Sequence, residues 1–230
     1  MREELASLLQ MNTWTLVERT PDMKIVKSKW VFRIKRGPTG EIDKFKARVV
    51  AVGSSQVQGI DYFETFSPVV KLTSLRLLLA LANEEGMSMR QLDVKTAYLH
   101  GQLEEVVYMV PPPGSENKGM VCKLNKSLYG LKQSGRTWYR TLDAALLALG
   151  YKRLESDRCV YLLKKQGTKV ILSVYVDDML MFATNDQLLK NAIDDLGKYV
   201  DLKDLGEPRY ILGIQVNHDK KEQKITENRR

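Results

Sequence analysis

Two adjacent carboxylates, Asp177 and Asp178, interrupt an otherwise apolar, β-prone run from Val170 to Ala183. Branched and aromatic residues on both sides suit half-buried pleated strands. The run therefore predicts a strand hairpin with Asp177 and Asp178 at its tip. An acidic turn is ordinary by itself, but two features point further. The two-residue hairpin turns favour Asn-Gly, Asp-Gly or another glycine at positive φ, and this run contains no glycine. Like charges fixed side by side above an apolar sheet also repel unless a cation lies between them. Carboxylate oxygens on rigid strands are hard ligands suited to Mg²⁺, which takes one or two of them and completes its shell with substrate phosphates and water.

Such a site needs a carboxylate from another strand, and Asp93 is the best candidate. It lies 84 residues before Asp177, near the end of the strand predicted over Met89–Val94. An aspartate there also serves as a cap or turn former. Placed beside Asp177, however, it lets two carboxylates bridge a pair of Mg²⁺ ions about 3.5–4 Å apart for in-line phosphoryl displacement. A phosphate-bearing ligand calls for cations as well. The chain carries a net charge of +8, and residues 24 to 48 hold nine cations against Glu41 and Asp43, a local +7. That concentration argues for a polyanion surface rather than an ordinary solvated face.

The positioning elements follow from pattern. Lys29 to Arg36 alternates apolar and basic residues, Gly37-Pro38-Thr39-Gly40 turns the chain, and Phe45 to Val52 returns, predicting a basic hairpin with its cations on one face. Residues 1 to 23 give a short amphipathic start and then Trp14 and Leu16, with no chemistry of their own. Thr73 or Ser74 caps a helix that runs to Glu85 and stops at Gly86. Glu104 to Met109 holds a short strand, and Trp138, Leu142, Ala145 and Leu149 mark a second helix. Thr184 with Gln187 reads as a capping box opening a third. Arg209 to Val216 is the last strand. The order predicts an α+β chain with a mostly antiparallel sheet.

Composition narrows the class. A hydrophobic content of 43% and a charged content of 28% are globular values. Cys122 and Cys159 are too few for a disulfide framework or a structural zinc site, which fits a reducing compartment. No apolar run reaches bilayer length, so no membrane partner is expected.

Several strings are together recognisable. Tyr175-Val176-Asp177-Asp178 between apolar strands resembles the fifth signature motif of reverse transcriptases. Three more resemble the copia-type long-terminal-repeat retrotransposon polymerase in particular: Gln58-Gly59-Ile60-Asp61-Tyr62-Phe63-Glu64-Thr65-Phe66-Ser67-Pro68-Val69, Leu92-Asp93-Val94-Lys95-Thr96-Ala97-Tyr98-Leu99-His100-Gly101, and Ser127-Leu128-Tyr129-Gly130-Leu131-Lys132-Gln133. Asp204-Leu205-Gly206 with Tyr210-Ile211-Leu212-Gly213-Ile214 matches as well, so the likeness runs over residues 10 to 218.

The resemblance implies an RNA-directed DNA polymerase domain of a Pol polyprotein, with fingers and palm and no thumb. It places the fingers at 24–86 and 100–133, the palm at 87–99 and 134–218, a lead-in at 1–23 and a polar tail, the start of a thumb, at 219–230. Asp93, Asp177 and Asp178 match the metal-binding catalytic triad for two Mg²⁺ ions, or Mn²⁺ in their place, with Asp93 and Asp177 as direct ligands. Arg48 matches the fingers arginine that clamps the triphosphate, assisted by Lys35 or Lys46. Tyr98 matches the aromatic residue that excludes a 2′-hydroxyl, and Tyr129 and Gly130 match the loop beneath the nascent base pair. Lys132, Arg136 and Tyr175 fall near template or primer, and Leu212 and Gly213 in the primer grip. The implied partners are an RNA template, a DNA primer and deoxynucleoside triphosphates, with protease, integrase and ribonuclease H segments in the parent polyprotein. The implied location is the cytoplasm in a virus-like particle, with the nucleus as alternative.

The sequence departs from the family at Val52, usually lysine, at Gly135, usually proline, and at Ser54-Ser55, usually bulkier. Two other readings stay open. One is a catalytically silent remnant that binds nucleic acid through its basic hairpin. The other is a metal-dependent phosphodiesterase, which uses the aspartates but leaves Tyr98 and the Tyr129-Gly130 loop without a role.

Overall fold

The longest apolar run forms the middle of a six-stranded antiparallel sheet. In the computed structural model, which describes residues 1–36, 40–115, 119–165, 167–219 and 224–229, the order is Leu202–Asp204, Ser88–Val94, Asp178–Ala183, Thr168–Tyr175, Val160–Lys165, Lys152–Arg153. Met179, Leu180, Met181 and Phe182 are all fully buried, so this strand is covered on both faces. That is why it reads as a continuous apolar run rather than an alternating one. The helix Asp186–Gly197 packs on the sheet through Leu189, Ala192 and Leu196. Its cap is Asn185, whose Oδ1 accepts from Leu188 N at 2.8 Å. The expected cap, Thr184, is still held by the sheet, its Oγ1 accepting from Lys169 N at 3.0 Å. The chain therefore leaves the sheet one residue later than the pattern indicates.

The chain divides into two compact units, Met1–Phe66 with Tyr98–Arg140, and Ser67–Ala97 with Thr141–Arg230. The sheet above belongs to the second unit, and so does the helix Leu72–Glu84, which the sequence had grouped with the basic hairpin. Neither Thr73 nor Ser74 caps that helix. Lys71 occupies the cap position and its N–H donates to Asp157 Oδ2 at 2.9 Å, so a buried aspartate 86 residues away does the capping. The expected strand over 209–216 is instead two strands, Tyr210–Ile211 and Ile214–Asp219. The expected polar tail supplies a third, Lys224–Arg229, paired antiparallel with Ile214–Asp219.

In the first unit, Trp14–Glu18 pairs with Met120–Leu124, which pairs with Tyr108–Met109, which pairs in parallel with Ile25–Val26. The lead-in is thus part of the fold. The helix Arg2–Gln10 sends Leu8 into a core with Val26, Val49, Leu99, Met109, Cys122 and Leu128. Ser28–Arg36 and Ile42–Ala51 form the expected hairpin as a separate two-stranded ribbon, and its turn residues Gly37-Pro38-Thr39 lie outside the described residues. Four α-helices and largely antiparallel sheets among the described residues make the class α+β.

Candidate active site and nucleic-acid surface

Register decides which carboxylates meet. Thr168–Tyr175 and Asp178–Ala183 pair with Tyr175 opposite Asp178, so the turn consists of Val176 and Asp177 rather than Asp177 and Asp178. The missing glycine is answered by strain. Val176 takes φ +58, a left-handed conformation that a β-branched residue adopts at a cost of about 1–3 kcal/mol. Asp178 opens the returning strand and lies directly opposite Asp93. Directly opposed residues hold their Cβ atoms about 4.5–5.5 Å apart on one face. Asp177 sits one residue earlier, and its carbonyl accepts from Val94 N at 2.9 Å, which ties the turn to the Asp93 strand. On its other side Asp93 faces Lys203 across the strand Leu202–Asp204, a neighbour the sequence reading did not single out.

All three aspartates are half-buried. Among the described residues, no three His, Cys, Asp or Glu side chains converge closely enough to enclose a metal ion. The arrangement is therefore an opposed pair, Asp93 and Asp178, with Asp177 adjacent at the turn. An all-oxygen pair with open positions fits Mg²⁺ or Mn²⁺, which draw their other ligands from water and phosphate.

The ribbon in the first unit has two unlike faces. Register sets Arg33 opposite Lys46, Lys35 opposite Lys44 and Arg48 opposite Val31, so Lys29, Arg33, Lys35, Lys44, Lys46 and Arg48 share one face. Directly opposed like charges destabilise a sheet, and an anion over this face would relieve that repulsion. Acids of the first helix adjoin it: Glu3 lies 4.0 Å from Lys44, and Glu4 lies beside Val49 N, Arg48 and Lys46. Burial raises the Glu4 pKa against the lowering effect of those neighbours. The other face carries Trp30, Phe32, Ile34, Phe45 and Val49. Phe32 is 66% and Phe45 71% exposed, and Trp30 stacks on Phe32 with centroids 6.4 Å apart.

At the root of the ribbon, Arg48 is half-buried with its guanidinium 4.4 Å above the centroid of the Tyr129 ring. Tyr129 in turn meets Tyr98 edge to face at 4.7 Å. Ala51 N donates to Tyr129 O at 2.8 Å, and Gly130 follows at φ +94. A Cβ on Gly130 would lie 2.0 Å from Ala51 O, so the close backbone approach this glycine permits is to the ribbon strand itself. The Ser127 hydroxyl donates to Tyr98 O, and Ser127 N to Gly101 O at 2.9 Å.

Beyond Tyr129 the loop is held by a polar network that the motifs contain only in part. Gln133, 2% exposed, accepts from Gln56 Nε2 at 3.0 Å and donates to Asp61 O at 2.9 Å. Gln56 Oε1 accepts from Lys132 N at 2.8 Å. Asp61 Oδ2 accepts from Val57 N at 2.6 Å and pairs with Lys24. Lys132 and Lys35 are exposed, whereas Lys46 and Arg136 are half-buried. In the second unit Tyr175 is exposed beside the aspartate turn, and Leu212 and Gly213 form a two-residue turn with φ +50 and +78.

The sequence compares closely with known proteins. The family model described as reverse transcriptase (RNA-dependent DNA polymerase) matches residues 11–229. The retrovirus-related Pol polyprotein from transposon TNT 1-94 of Nicotiana tabacum is 44% identical over 98% of this chain, which covers 17% of that protein. The corresponding polyprotein from transposon RE1 of Arabidopsis thaliana is 42% identical over 94% of the chain and 15% of its own length. The truncated transposon Ty1-A Gag-Pol polyprotein of Saccharomyces cerevisiae is 33% identical over 95% of the chain and 19% of its own. The chain thus spans less than a fifth of these relatives. With the motif strings, the family match and the transposon relatives in agreement, this chain belongs to the copia-type reverse transcriptases.

Proposed function

We propose that this domain adds deoxynucleotides to a DNA primer on an RNA template, with the aspartate-bearing sheet as palm and the unit carrying the basic ribbon as fingers. The observation that carries the reading is the placement of Asp93 directly opposite Asp178, with Asp177 on the adjoining strained turn. Two Mg²⁺ ions, or Mn²⁺ in their place, supply charge neutralisation at the primer hydroxyl and at the leaving pyrophosphate when bound. Asp93, Asp177 and Asp178 are the residues that would hold them. Arg48, with Lys35 and Lys46, binds the triphosphate through charge-assisted hydrogen bonds. Tyr98 faces the sugar, and Tyr129 with Gly130 supports the nascent pair. Lys132 and Arg136 contact template phosphates, while Tyr175, Leu212 and Gly213 lie along the primer.

The test is primer extension on an RNA template with Mg²⁺ or Mn²⁺. Wild type should extend, and Asp177→Asn, which keeps shape but removes the charge, should abolish extension while circular dichroism stays unchanged. Full activity of Asp177→Asn would refute the assignment. A second reading, nucleic-acid binding without catalysis, draws on the cations that share one face of the ribbon. It predicts duplex binding by wild type with no extension under either metal.

A further inference from the structure

The three residues assigned to triphosphate, base pair and sugar form one continuous stack within the first unit. The Arg48 guanidinium lies 4.4 Å from the Tyr129 ring centroid, and the Tyr98 ring meets Tyr129 at 4.7 Å with an interplanar angle of 70°. A ring attracts a cation over its negative face and another ring's positive edge by the same quadrupole. Tyr129 takes the Arg48 cation over its face and meets Tyr98 in an edge-to-face pair. The backbone fixes the stack from two sides. Ala51, three residues beyond Arg48 on the same strand, donates to Tyr129 O at 2.8 Å, and the Ser127 hydroxyl on the Tyr129 loop donates to Tyr98 O. Gly130 cannot move away from the strand without breaking that contact, and no side chain fits in its place.

We propose that Tyr129 is a specificity-determining positioning residue: its ring, between Arg48 and Tyr98, fixes the tyrosine that excludes a 2′-hydroxyl and couples sugar choice to triphosphate binding. The inference rests on the reading of Tyr98 as the sugar-facing residue. A sugar gate excludes by contact, so it discriminates only as well as it is held still. Tyr98 lies two residues after Thr96, whose φ is +52, and is itself half-buried, and the Tyr129 ring is one wall against it. Replacing that ring by a flexible aliphatic chain lets Tyr98 yield to a ribonucleotide. The same change frees Arg48 from its ring and weakens binding of either triphosphate.

The experiment measures binding of dGTP and of GTP to the full chain with primer–template and Mg²⁺, by fluorescence titration, alongside kcat/KM for insertion. Tyr129→Leu should lower the preference for dGTP over GTP about tenfold, and Tyr129→Phe, which keeps the ring, should leave it within about twofold. Should Tyr129→Leu not fold, Tyr129→Met replaces it, filling similar volume with a flexible thioether. Tyr98→Ala separates the two readings. If it abolishes sugar preference while Tyr129→Leu and Tyr129→Met leave the preference intact, the positioning role is wrong and the gate assignment stands. If Tyr98→Ala leaves preference intact, or wild type binds neither nucleotide, the gate reading falls and the inference with it. Loss of preference in Tyr129→Phe would place the effect in the hydroxyl and overturn the stacking argument.

Discussion

Gln133→Ala tests whether the loop carrying Tyr129 and Gly130 is held by the buried amide network. The substitution removes the Gln133 amide, leaving Gln56 Nε2 without its acceptor and Asp61 O without its donor, and with them the longer contact to Glu105 Oε2. Each buried polar group so stranded costs about 1–3 kcal/mol, so the loss of two should be about 2–6 kcal/mol. With a urea slope of about 3 kcal/mol/M, at the upper end for small proteins, the unfolding midpoint should fall by about 0.7–2 M. Trp14, Trp30 and Trp138 all lie in the first unit, so their fluorescence follows the same unit as the network. Gln133→Glu should be destabilised similarly near neutral pH, because a carboxylate cannot donate to Asp61 O and meets Glu105, whose Oε2 lies 3.4 Å from Gln133 Nε2. That loss should shrink in acid as the carboxyl regains a proton to donate. A midpoint for Gln133→Ala within about 0.2 M of wild type, at unchanged slope, would show that the network is not what holds the loop.

Val176→Gly should stabilise the second unit by about 1 kcal/mol, since relief of the left-handed strain exceeds the added backbone entropy of glycine; a lower melting temperature would contradict this. Binding of an RNA–DNA duplex should weaken with salt with a log–log slope no steeper than about −7, the value for eight phosphates neutralised by the six cations of the ribbon face with Lys132 and Arg136. The double change of Arg33→Gln and Lys46→Gln should flatten that slope by about 2, and an unchanged slope would remove the basic face from the interface. Burial pushes the pKa of both the Cys122 and Cys159 thiols up to about 12. Neither should react with iodoacetamide at about pH 8 until urea unfolds the chain. Because the folded state holds these protons more tightly, their linkage contribution is fully present below the unfolded thiol pKa. It is lost as pH rises from about 8.5 toward 12.

What the sequence discloses and what it hides divide along the range of the interactions. The acidic hairpin, the strand holding Asp93 and the alternating basic ribbon are written in local periodicity. The one-residue placement of the turn is not, because it follows from pairing Asp178 with both Tyr175 and Asp93. Nothing local marks Val176 for a left-handed backbone. The cap on Leu72–Glu84 comes from Asp157, and the lead-in strand Trp14–Glu18 finds its partner more than a hundred residues on, at Met120–Leu124. Gln56, Asp61 and Gln133 are visible as polar residues, two of them inside recognisable strings. That they meet depends on two loops folding onto each other. The Arg48–Tyr129–Tyr98 stack is hidden in the same way, since its members come from three separate stretches of the chain.

The ribbon has a consequence for how tightly the domain can hold a ligand. Two strands without a third beside them are at best marginally stable in water, and among the described residues the buried anchors of this pair lie at its root. There Val49 and Ala51 are buried, Trp30 Nε1 donates to Pro113 O at 3.0 Å, and Val52 N donates to Lys27 O at 2.7 Å. Toward the turn, Phe32, Ile34 and Phe45 are open to water on one face and opposed cations on the other. Amide protons should accordingly exchange along a gradient, slowest at Val49 and fastest near Arg36. A ligand that covers the outer half must also order it, so binding should carry a larger negative heat-capacity change than its contact area alone gives. Affinity is then a matter of temperature as much as of charge.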